Sequence, residues 1–178
     1  MDEAFTIWLT GLSGSGKTTL SKKINQYLLE RNYKVQLLDG DILRDEIGGM
    51  FGYTRSERIK AASVYRLLAK TLNDNGINAI VASIAPYKSI RNSNRNNLEK
   101  YFEIYIKCSI EECVKRDVKG LYKRVFNGKE KNVVGIDEPF EVPLKHDLQI
   151  DTKKLSVEKS FDKIIKFLNN EVGNNNDF

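Results

Sequence analysis

Residues 11–18 carry a motif that binds phosphates, since they read Gly-Leu-Ser-Gly-Ser-Gly-Lys-Thr and match G-x-x-x-x-G-K-[ST] at every fixed position. The glycines let the backbone curl so that its N–H groups point inward at a phosphate chain. Lys17 adds a full positive charge, and Thr18 offers a hydroxyl to a Mg²⁺ ion bridging the β- and γ-phosphates. The spacing therefore predicts binding of a nucleoside triphosphate, ATP, together with Mg²⁺.

The flanks of this loop favour a nucleotide site over a glycine-rich turn that holds no ligand. An apolar run at 5–9 precedes the loop, and a helix-like segment at 18–31 follows it. The N-terminus of that helix adds a partial positive charge beside the phosphates. The candidate ATP-binding residues are Gly11, Ser13, Gly14, Ser15, Gly16, Lys17, Thr18 and Thr19.

Two carboxylates, Asp39 and Asp41, flank a glycine directly after the second predicted strand. In a parallel sheet that position faces the phosphate loop across the crevice. One carboxylate can order the water shell of Mg²⁺, and the other can accept a proton from an attacking hydroxyl. Arg44, one helical turn beyond Asp41, can hold an anionic acceptor through forked hydrogen bonds. A turn of this composition is common by itself, and the phosphate loop upstream is what favours a catalytic interpretation.

The elements that must position these residues alternate between short apolar strands and longer helices. We predict strands at 6–9, 35–38, 79–82, 103–107 and 148–150, and helices at 18–31, 56–73, 110–127 and 157–168. This alternation predicts an α/β fold, a five-stranded parallel sheet flanked by helices on both faces. Residues 127–145 have weak periodicity and two prolines, which is typical of either a lid or a surface loop.

Length and composition indicate one domain, since 178 residues with 40% hydrophobic and 30% charged content suffice for an ordinary core. The net charge of +5 does not predict nucleic-acid binding, because basic and acidic residues are interspersed, as at 111–116. No apolar run approaches the ~20 residues of a membrane span, and the first strand leaves no room for a signal peptide. Cys108 and Cys113 fit no metal pattern and are predicted to be buried thiols. We expect a cytoplasmic protein with no membrane partner.

Taken in order, the motifs of the chain resemble those of the adenylylsulfate (APS) kinases from about residue 7 to residue 168. The shared blocks are Gly11–Thr19, Leu38-Asp39-Gly40-Asp41 with Arg44, Gly52-Tyr53-Thr54 with Arg58, Ala85-Pro86-Tyr87, Arg116-Asp117, Lys119-Gly120-Leu121-Tyr122-Lys123, Gly135-Ile136-Asp137 with Pro139-Phe140-Glu141-Val142-Pro143, and Asp151-Thr152. Many families share the phosphate loop. The K-G-L-Y-K and G-I-D-x-P-[FY]-E-x-P blocks are far more specific.

The resemblance implies a P-loop nucleoside-kinase domain over residues 1–178, with a lid at about 119–145 and a homodimeric state. It implies transfer of the γ-phosphoryl group of ATP to the ribose 3′-hydroxyl of adenylyl sulfate, which gives the activated sulfate donor PAPS of sulfate assimilation. In that scheme Lys17, Asp39 and Asp41 are catalytic, Thr18 and Asp39 serve Mg²⁺, and Arg116 packs against the ATP base. The implied acceptor contacts are Asp41, Arg44, Tyr53, Arg58, Ile84, Ala85, Pro86, Lys119, Leu121 and Val133.

The chain departs from the family pattern in the acceptor half. Residues 59–64 replace an asparagine and two arginines, Ala85 replaces the serine of I-S-P-Y, and Val133 stands where a phenylalanine usually stacks on the base. Loss of a stacking face and of a polar donor can change which nucleotide is accepted. The alternative acceptor is cytidine diphosphoramidate, which similar kinases of bacterial capsule pathways use. A GTPase is disfavoured because N-K-x-D is absent, and a non-catalytic nucleotide-binding regulator would not need the paired carboxylates.

Overall fold

The sheet of this protein contains five parallel strands, and the computed structural model describes residues 3–47 and 49–172. The strands are β1 (Thr6–Thr10), β2 (Val35–Asp39), β3 (Asn78–Ala82), β4 (Tyr101–Lys107) and β5 (Leu148–Asp151). Their spatial order is β2-β3-β1-β4-β5, and every neighbouring pair is parallel. The predicted α/β fold and all five predicted strands are confirmed, with ends that differ by at most two residues.

Seven helices connect and cover these strands in the described part of the chain. They are α1 (Lys17–Glu30), α2 (Gly40–Glu46), α3 (Arg55–Asp74), α4 (Lys88–Asn97), α5 (Ile110–Arg116), α6 (Leu121–Phe126) and α7 (Val157–Val172). The sequence pattern did not predict α4, because its Asn- and Arg-rich sequence carries one apolar residue, Ile90, and so has little apolar periodicity. None of the described helices is long and apolar enough to cross a membrane.

The single helix predicted at 110–127 is wrong, because the chain turns between α5 and α6. Asp117 has a φ of 25° and Gly120 a φ of 64°, both in the left-handed region that ends a helix. The carboxylate of Asp117 then accepts hydrogen bonds from the backbone N–H groups of Tyr122 (3.0 Å) and Lys123 (2.9 Å). One acidic residue thus ends the first helix and satisfies the free amides at the start of the second.

Two apolar layers cover the sheet, one on each face. Residues of β1 alternate between them, since Ile7 and Leu9 belong to the layer under α1 and α7, and Trp8 belongs to the layer under α3 and α4. All three side chains are fully buried. Because both faces are covered, the polar ends of the strands are left as the place where a ligand can meet the chain.

Residues 117–145 fold over the carboxyl edge of the sheet and are held there by a third, smaller apolar cluster. The buried members of this lid cluster are Leu12, Cys108, Cys113, Tyr122, Val133 and Val134. Apart from α6, regular structure in this segment is limited to one isolated bridge between Val134 and Glu138. Cys108 and Cys113 are free and buried, as predicted. The segment is therefore anchored against the loop at 11–16 rather than extended into solvent.

Candidate active site

A cavity opens at the carboxyl edge of the sheet, where the ends of β1, β2 and β3 meet the segment at 117–122. Its lining combines the phosphate loop with the residues that follow β2 and β3. The predicted site residues in the lining are Ser13, Gly14, Gly16, Lys17, Thr18, Thr19, Asp41, Arg44, Tyr53, Arg58, Ile84, Ala85, Pro86 and Lys119. Gly11, Ser15 and Asp39 lie just behind it and are buried.

The phosphate loop holds Lys17 folded back on its own backbone. The Nζ atom of Lys17 donates to the carbonyl oxygens of Gly11 (2.9 Å) and Leu12 (2.8 Å). Burial lowers the pKa of Lys17 to about 8, although the negative charge of Asp41 opposes the shift. A Cβ atom on Gly11 would collide with the carbonyl oxygen of Ile106, so only glycine fits at the start of this loop. The ammonium group is thus placed inside the curl of the loop, where anionic phosphates would be attracted to it.

Thr18 and Asp39 supply a pair of oxygen ligands that fits a Mg²⁺ ion. Thr18 Oγ1 donates to Asp39 Oδ2 at 3.0 Å, and the other carboxylate oxygen of Asp39 accepts from the backbone N–H of Asp41 at 2.9 Å. Within the described ranges, no group of three or more His, Cys, Asp or Glu side chains forms a cage for a metal. Mg²⁺ in kinases takes only one or two protein oxygens and completes its octahedron with phosphates and water, and this donor pair suits that arrangement.

Arg116 connects the phosphate loop to the end of β5. Its guanidinium donates to the carbonyl oxygens of Thr152 (2.7 Å) and Gly14 (3.4 Å) and pairs with Glu112 (2.9 Å). Thr152 also donates its hydroxyl proton to the carbonyl oxygen of Ser15 at 2.8 Å. The outer edge of the loop is therefore braced by two side chains. Thr152 is part of the family resemblance but was given no role there, because a threonine after a strand does not by itself indicate a contact.

On the opposite side of the cavity, two arginines enclose the ring of Tyr53. The guanidinium carbon lies 4.7 Å from the ring centroid for Arg44 and 5.2 Å for Arg58. Arg44 donates to the carbonyl oxygens of Phe51 (3.1 Å) and Gly52 (2.9 Å). The Tyr53 side chain is half exposed. Tyr53 therefore lines the cavity with two positive charges close to its ring.

Arg58 ties this side of the cavity to the segment that covers it. It donates to the carbonyl oxygens of Tyr53 (2.9 Å) and Asn132 (2.6 Å), and burial lowers its pKa, with the nearby charge of Arg44 acting in the same direction. A buried guanidinium near a second one favours an anion in between, because an anion offsets their repulsion.

Asp41 forms an ion pair with Lys119 across the mouth of the cavity. Both side chains are more than half exposed. Tyr65 lies below them and donates its hydroxyl proton to the carbonyl oxygen of Gly40 at 3.2 Å, which fixes the turn that carries the carboxylates. The predicted proton acceptor is thus paired with a lysine from the covering segment.

The loop after β3 forms the third wall, and its backbone is strained. Ala85 has a φ of 41°, unusual for a residue with a side chain. Its carbonyl oxygen accepts from the guanidinium of Arg91 at 2.8 Å, and that of Pro86 accepts from the backbone N–H of Glu141 at 2.9 Å. Arg91 in turn donates to the carbonyl oxygen of Glu141 at 2.6 Å. Hydrogen bonds from Arg91 and from the backbone of Glu141 hold this conformation.

Two of the predicted acceptor residues, Leu121 and Val133, do not line the cavity. They pack in the lid cluster, where Val133 is buried and its backbone N–H donates to Asp137. The lining residues from this segment are Asp117, Val118, Lys119 and Tyr122, and the Tyr122 hydroxyl donates to the carbonyl oxygen of Ser13 at 2.9 Å. The structure thus shows no contact of Val133 with the cavity, although the resemblance places a base-stacking residue at that position.

Comparison with known proteins decides the family. A profile of the adenylylsulphate kinase family matches residues 3–151 of the chain. The adenylyl-sulfate kinase of Clostridium acetobutylicum is 42% identical over 163 residues, which cover 91% of this chain and 82% of that protein. The chain belongs to the adenylylsulfate kinase family. The adenylyl-sulfate kinase of Halothermothrix orenii is 39% identical over 163 residues, or 92% of this chain and 88% of that protein.

Solved structures of adenylylsulfate kinases have the same fold as this family member. The Mycobacterium tuberculosis APS kinase, solved in complex with AMPPNP and APS, superimposes with a TM-score of 0.88 at 29% identity, over 94% of this chain and 99% of that chain. A hexameric APS kinase from Thiobacillus denitrificans gives a TM-score of 0.72 at 28% identity, over 96% of this chain but 29% of that chain. The predicted P-loop kinase fold and the enzyme class, an ATP-dependent kinase with a hydroxyl acceptor, are confirmed.

Proposed function

We propose that this protein transfers the γ-phosphoryl group of ATP, with Mg²⁺, to the ribose 3′-hydroxyl of adenylyl sulfate and so forms PAPS. The observation that supports it most is that one cavity is lined both by the phosphate loop and by Tyr53 with its two arginines. The phosphate loop suits a triphosphate, and Tyr53 with its two arginines suits a nucleotide base that carries an anionic group. Asp41 lines the same cavity, and we assign it to the hydroxyl that attacks.

The chemistry follows from this placement. Asp41 accepts the proton of the 3′-hydroxyl, the oxygen bonds to the γ-phosphorus, and the bond to the β-γ bridging oxygen breaks and releases ADP. Lys17 offsets the charge that develops on the transferring group, and Thr18 and Asp39 would hold Mg²⁺, which neutralises the β- and γ-oxygens when bound. Lys119 must leave Asp41 before that carboxylate can act as the base, so binding of the acceptor requires the ion pair at the mouth to open.

The acceptor side supports adenylyl sulfate through charge and stacking. The half-exposed Tyr53 ring lines the cavity and suits an adenine base, since stacking of a base on an aromatic ring contributes about 1–3 kcal/mol. Arg44 and Arg58 supply positive charge beside the ring for the sulfate-bearing end. Together with relatives of up to 42% identity that carry the adenylyl-sulfate kinase name, these contacts favour adenylyl sulfate as the first substrate.

A second acceptor, cytidine diphosphoramidate, is favoured by the small side chains on α3. Ala61 and Ala62 line the cavity where the family has polar residues, and Ser63 bonds back to the carbonyl oxygen of Ile59 at 3.1 Å. This stretch of α3 therefore offers no side-chain donor to a purine. A pyrimidine would lose less binding free energy when these donors are missing, because it has fewer polar atoms that need a hydrogen-bond partner.

The test is transfer of label from [γ-³²P]ATP to each acceptor by the whole protein. We expect labelled 3′-phospho product with adenylyl sulfate, and none with Lys17→Ala. Label on neither acceptor would contradict the proposed function. Label on the cytidine derivative alone would replace the first acceptor with the second.

We also propose that the active protein is a cytoplasmic homodimer, as the family resemblance implies. Light scattering on the purified chain checks the oligomeric state, and we expect twice the mass of 20.4 kDa. A monomer, or a hexamer like the Thiobacillus denitrificans relative, would contradict the dimer but not the chemistry.

A further inference from the structure

Ser83 is a polar residue of the cavity that neither the phosphate loop nor the paired carboxylates explain. It directly follows β3 and lines the cavity with its side chain half-buried. A Cβ atom built on Gly40 would lie 3.2 Å from the Cβ atom of Ser83. Ser83 therefore lies directly beside the turn that carries Asp39 and Asp41, on the wall that faces the acceptor.

The hydroxyl of Ser83 is oriented by a buried tryptophan. Trp8 Nε1 donates to Ser83 Oγ at 3.0 Å, and Trp8 is fully buried in the layer under α3 and α4. An indole nitrogen can only donate, so the serine oxygen must accept in this bond and its own proton is left for another partner. Among the described residues, the Ser83 hydroxyl has no acceptor with which it forms a hydrogen bond. The hydroxyl proton of Ser83 is therefore available to a ligand in the cavity that Ser83 lines.

Neighbouring hydroxyl groups do not offer the same donor. The hydroxyl of Tyr65 already donates to the carbonyl oxygen of Gly40 at 3.2 Å, and that of Thr10 donates to the carbonyl oxygen of Ile84 at 2.6 Å. Ala85, where the family pattern has a serine, contributes only a methyl group. Ser83 is thus placed to supply, two residues earlier in the same loop, the hydroxyl that is missing at Ala85.

We propose that Ser83 is a specificity-determining residue that donates a hydrogen bond to an oxygen or nitrogen lone pair of the acceptor nucleotide. Trp8 acts through Ser83 as a positioning residue, because its indole N–H keeps the serine oxygen occupied and its proton directed into the cavity. The inference rests on the proposed function, since it assigns a contact to the acceptor in the same cavity.

The experiment compares Ser83→Ala with the matched control Ser63→Ala, whose hydroxyl bonds only within α3. We expect Ser83→Ala to raise the acceptor KM about 3- to 10-fold and to leave the ATP KM within twofold, as loss of one hydrogen bond to substrate does. Ser63→Ala should leave both constants unchanged. Trp8→Phe should raise the acceptor KM by itself but add nothing in the Ser83→Ala background, because the indole acts only through the serine.

An acceptor KM in Ser83→Ala within twofold of that of the unmodified protein would overturn the Ser83 assignment and leave the proposed function intact. Absence of turnover with adenylyl sulfate and with cytidine diphosphoramidate would instead overturn the proposed function. In that case calorimetric titration of each nucleotide decides the assignment. Weaker binding to Ser83→Ala than to the unmodified protein supports it, and equal or absent binding contradicts it.

Discussion

The ATP side and the acceptor side of the cavity are held in place by different kinds of contact. On the ATP side, the loop at 11–16 satisfies its own charge, with Lys17 bonded to two carbonyl oxygens only five and six residues away. On the acceptor side, Arg58 reaches a carbonyl oxygen 74 residues away, and Arg91 reaches one 50 residues away. The contacts of Lys17 are thus local, although Arg116 and Thr152 brace the outer edge of the loop from distant segments. The acceptor wall depends more directly on how α3 and α4 pack against the covering segment.

This difference explains why changes in the family pattern collect on one side. A loop whose glycines alone permit its path tolerates few substitutions, as the collision of a Cβ atom on Gly11 shows. A wall assembled from side chains of α3, α4 and the segment at 117–145 can exchange one contact for another. The ATP side thus defines the reaction, and the acceptor side defines the substrate.

The largest effect should come from the ATP side. We expect Lys17→Ala to reduce kcat by thousands of fold without unfolding the protein, because the Lys17 ammonium group offsets charge on the transferring phosphoryl group. The measurement is steady-state turnover together with a thermal melt, and the exposed Lys22→Ala on the same helix is the control. Turnover of Lys17→Ala within twofold of the unmodified protein would remove the phosphate loop from the mechanism.

Substitution of the two carboxylates, Asp39 and Asp41, should give two different kinds of kinetic defect. We expect Asp41→Asn to lower kcat by about 10²–10⁴-fold with ATP–Mg²⁺ binding retained, since Asp41 is assigned to the acceptor hydroxyl. Asp39→Asn should instead raise the Mg²⁺ concentration needed for half-maximal rate, because Asp39 bonds Thr18 beside the metal position. Identical magnesium titrations of the two variants would show that this division is wrong.

The fold followed from the sequence more completely than the acceptor side did. All five strands carry apolar runs whose period and length are visible in the sequence, and the loop at 11–18 fixes its own shape. Ser83 and Arg91 could not be assigned a role in this way, because their contacts with Trp8 and Glu141 join segments 50 or more residues apart. Val133 was assigned to the acceptor by the family resemblance alone, and it packs in the lid cluster.

The acceptor wall also carries a buried ion pair whose loss should reduce stability. Arg91 Nε lies 3.6 Å from Glu103 Oε1, both side chains are at most 6% exposed, and burial raises the pKa of Glu103. We expect Arg91→Ala to lower the free energy of unfolding by about 3 kcal/mol, because it leaves a buried carboxylate without its nearest cation.

Urea denaturation at two pH values checks this expectation. Because the pKa of the Glu103 carboxyl group is raised in the folded protein, the folded state loses stability as the pH rises and this group gives up its proton. The loss of unfolding free energy in Arg91→Ala should therefore be larger at pH 8 than at pH 5. Adding Glu103→Gln should recover part of it. Lys70→Ala, which breaks an exposed ion pair with Asp74, should change stability by less than about 0.5 kcal/mol. Equal losses of unfolding free energy in Arg91→Ala and Lys70→Ala would contradict a stabilising role for the buried Arg91–Glu103 ion pair.

The smallest expected effect is a proton taken up on the ATP side. The pKa of Lys17 is lowered to about 8, so above that pH the free protein holds Lys17 mostly neutral. Bound phosphates favour the charged form and raise that pKa, so ATP binding near pH 8.5 should take up part of one proton, and affinity should fall as the pH rises further. Calorimetry in two buffers of different ionisation enthalpy measures the uptake. We expect Lys17→Met to abolish it, and equal heats in both buffers for the unmodified protein would contradict it.

The central claim is that this cavity phosphorylates the 3′-hydroxyl of adenylyl sulfate, and the ratio of kcat/KM for adenylyl sulfate and cytidine diphosphoramidate tests it most directly. With the unmodified protein, ATP and Mg²⁺, we expect adenylyl sulfate to be favoured at least tenfold and the new phosphate to lie on the 3′-oxygen. A preference for the cytidine derivative, or a phosphate on another oxygen, would contradict the claim.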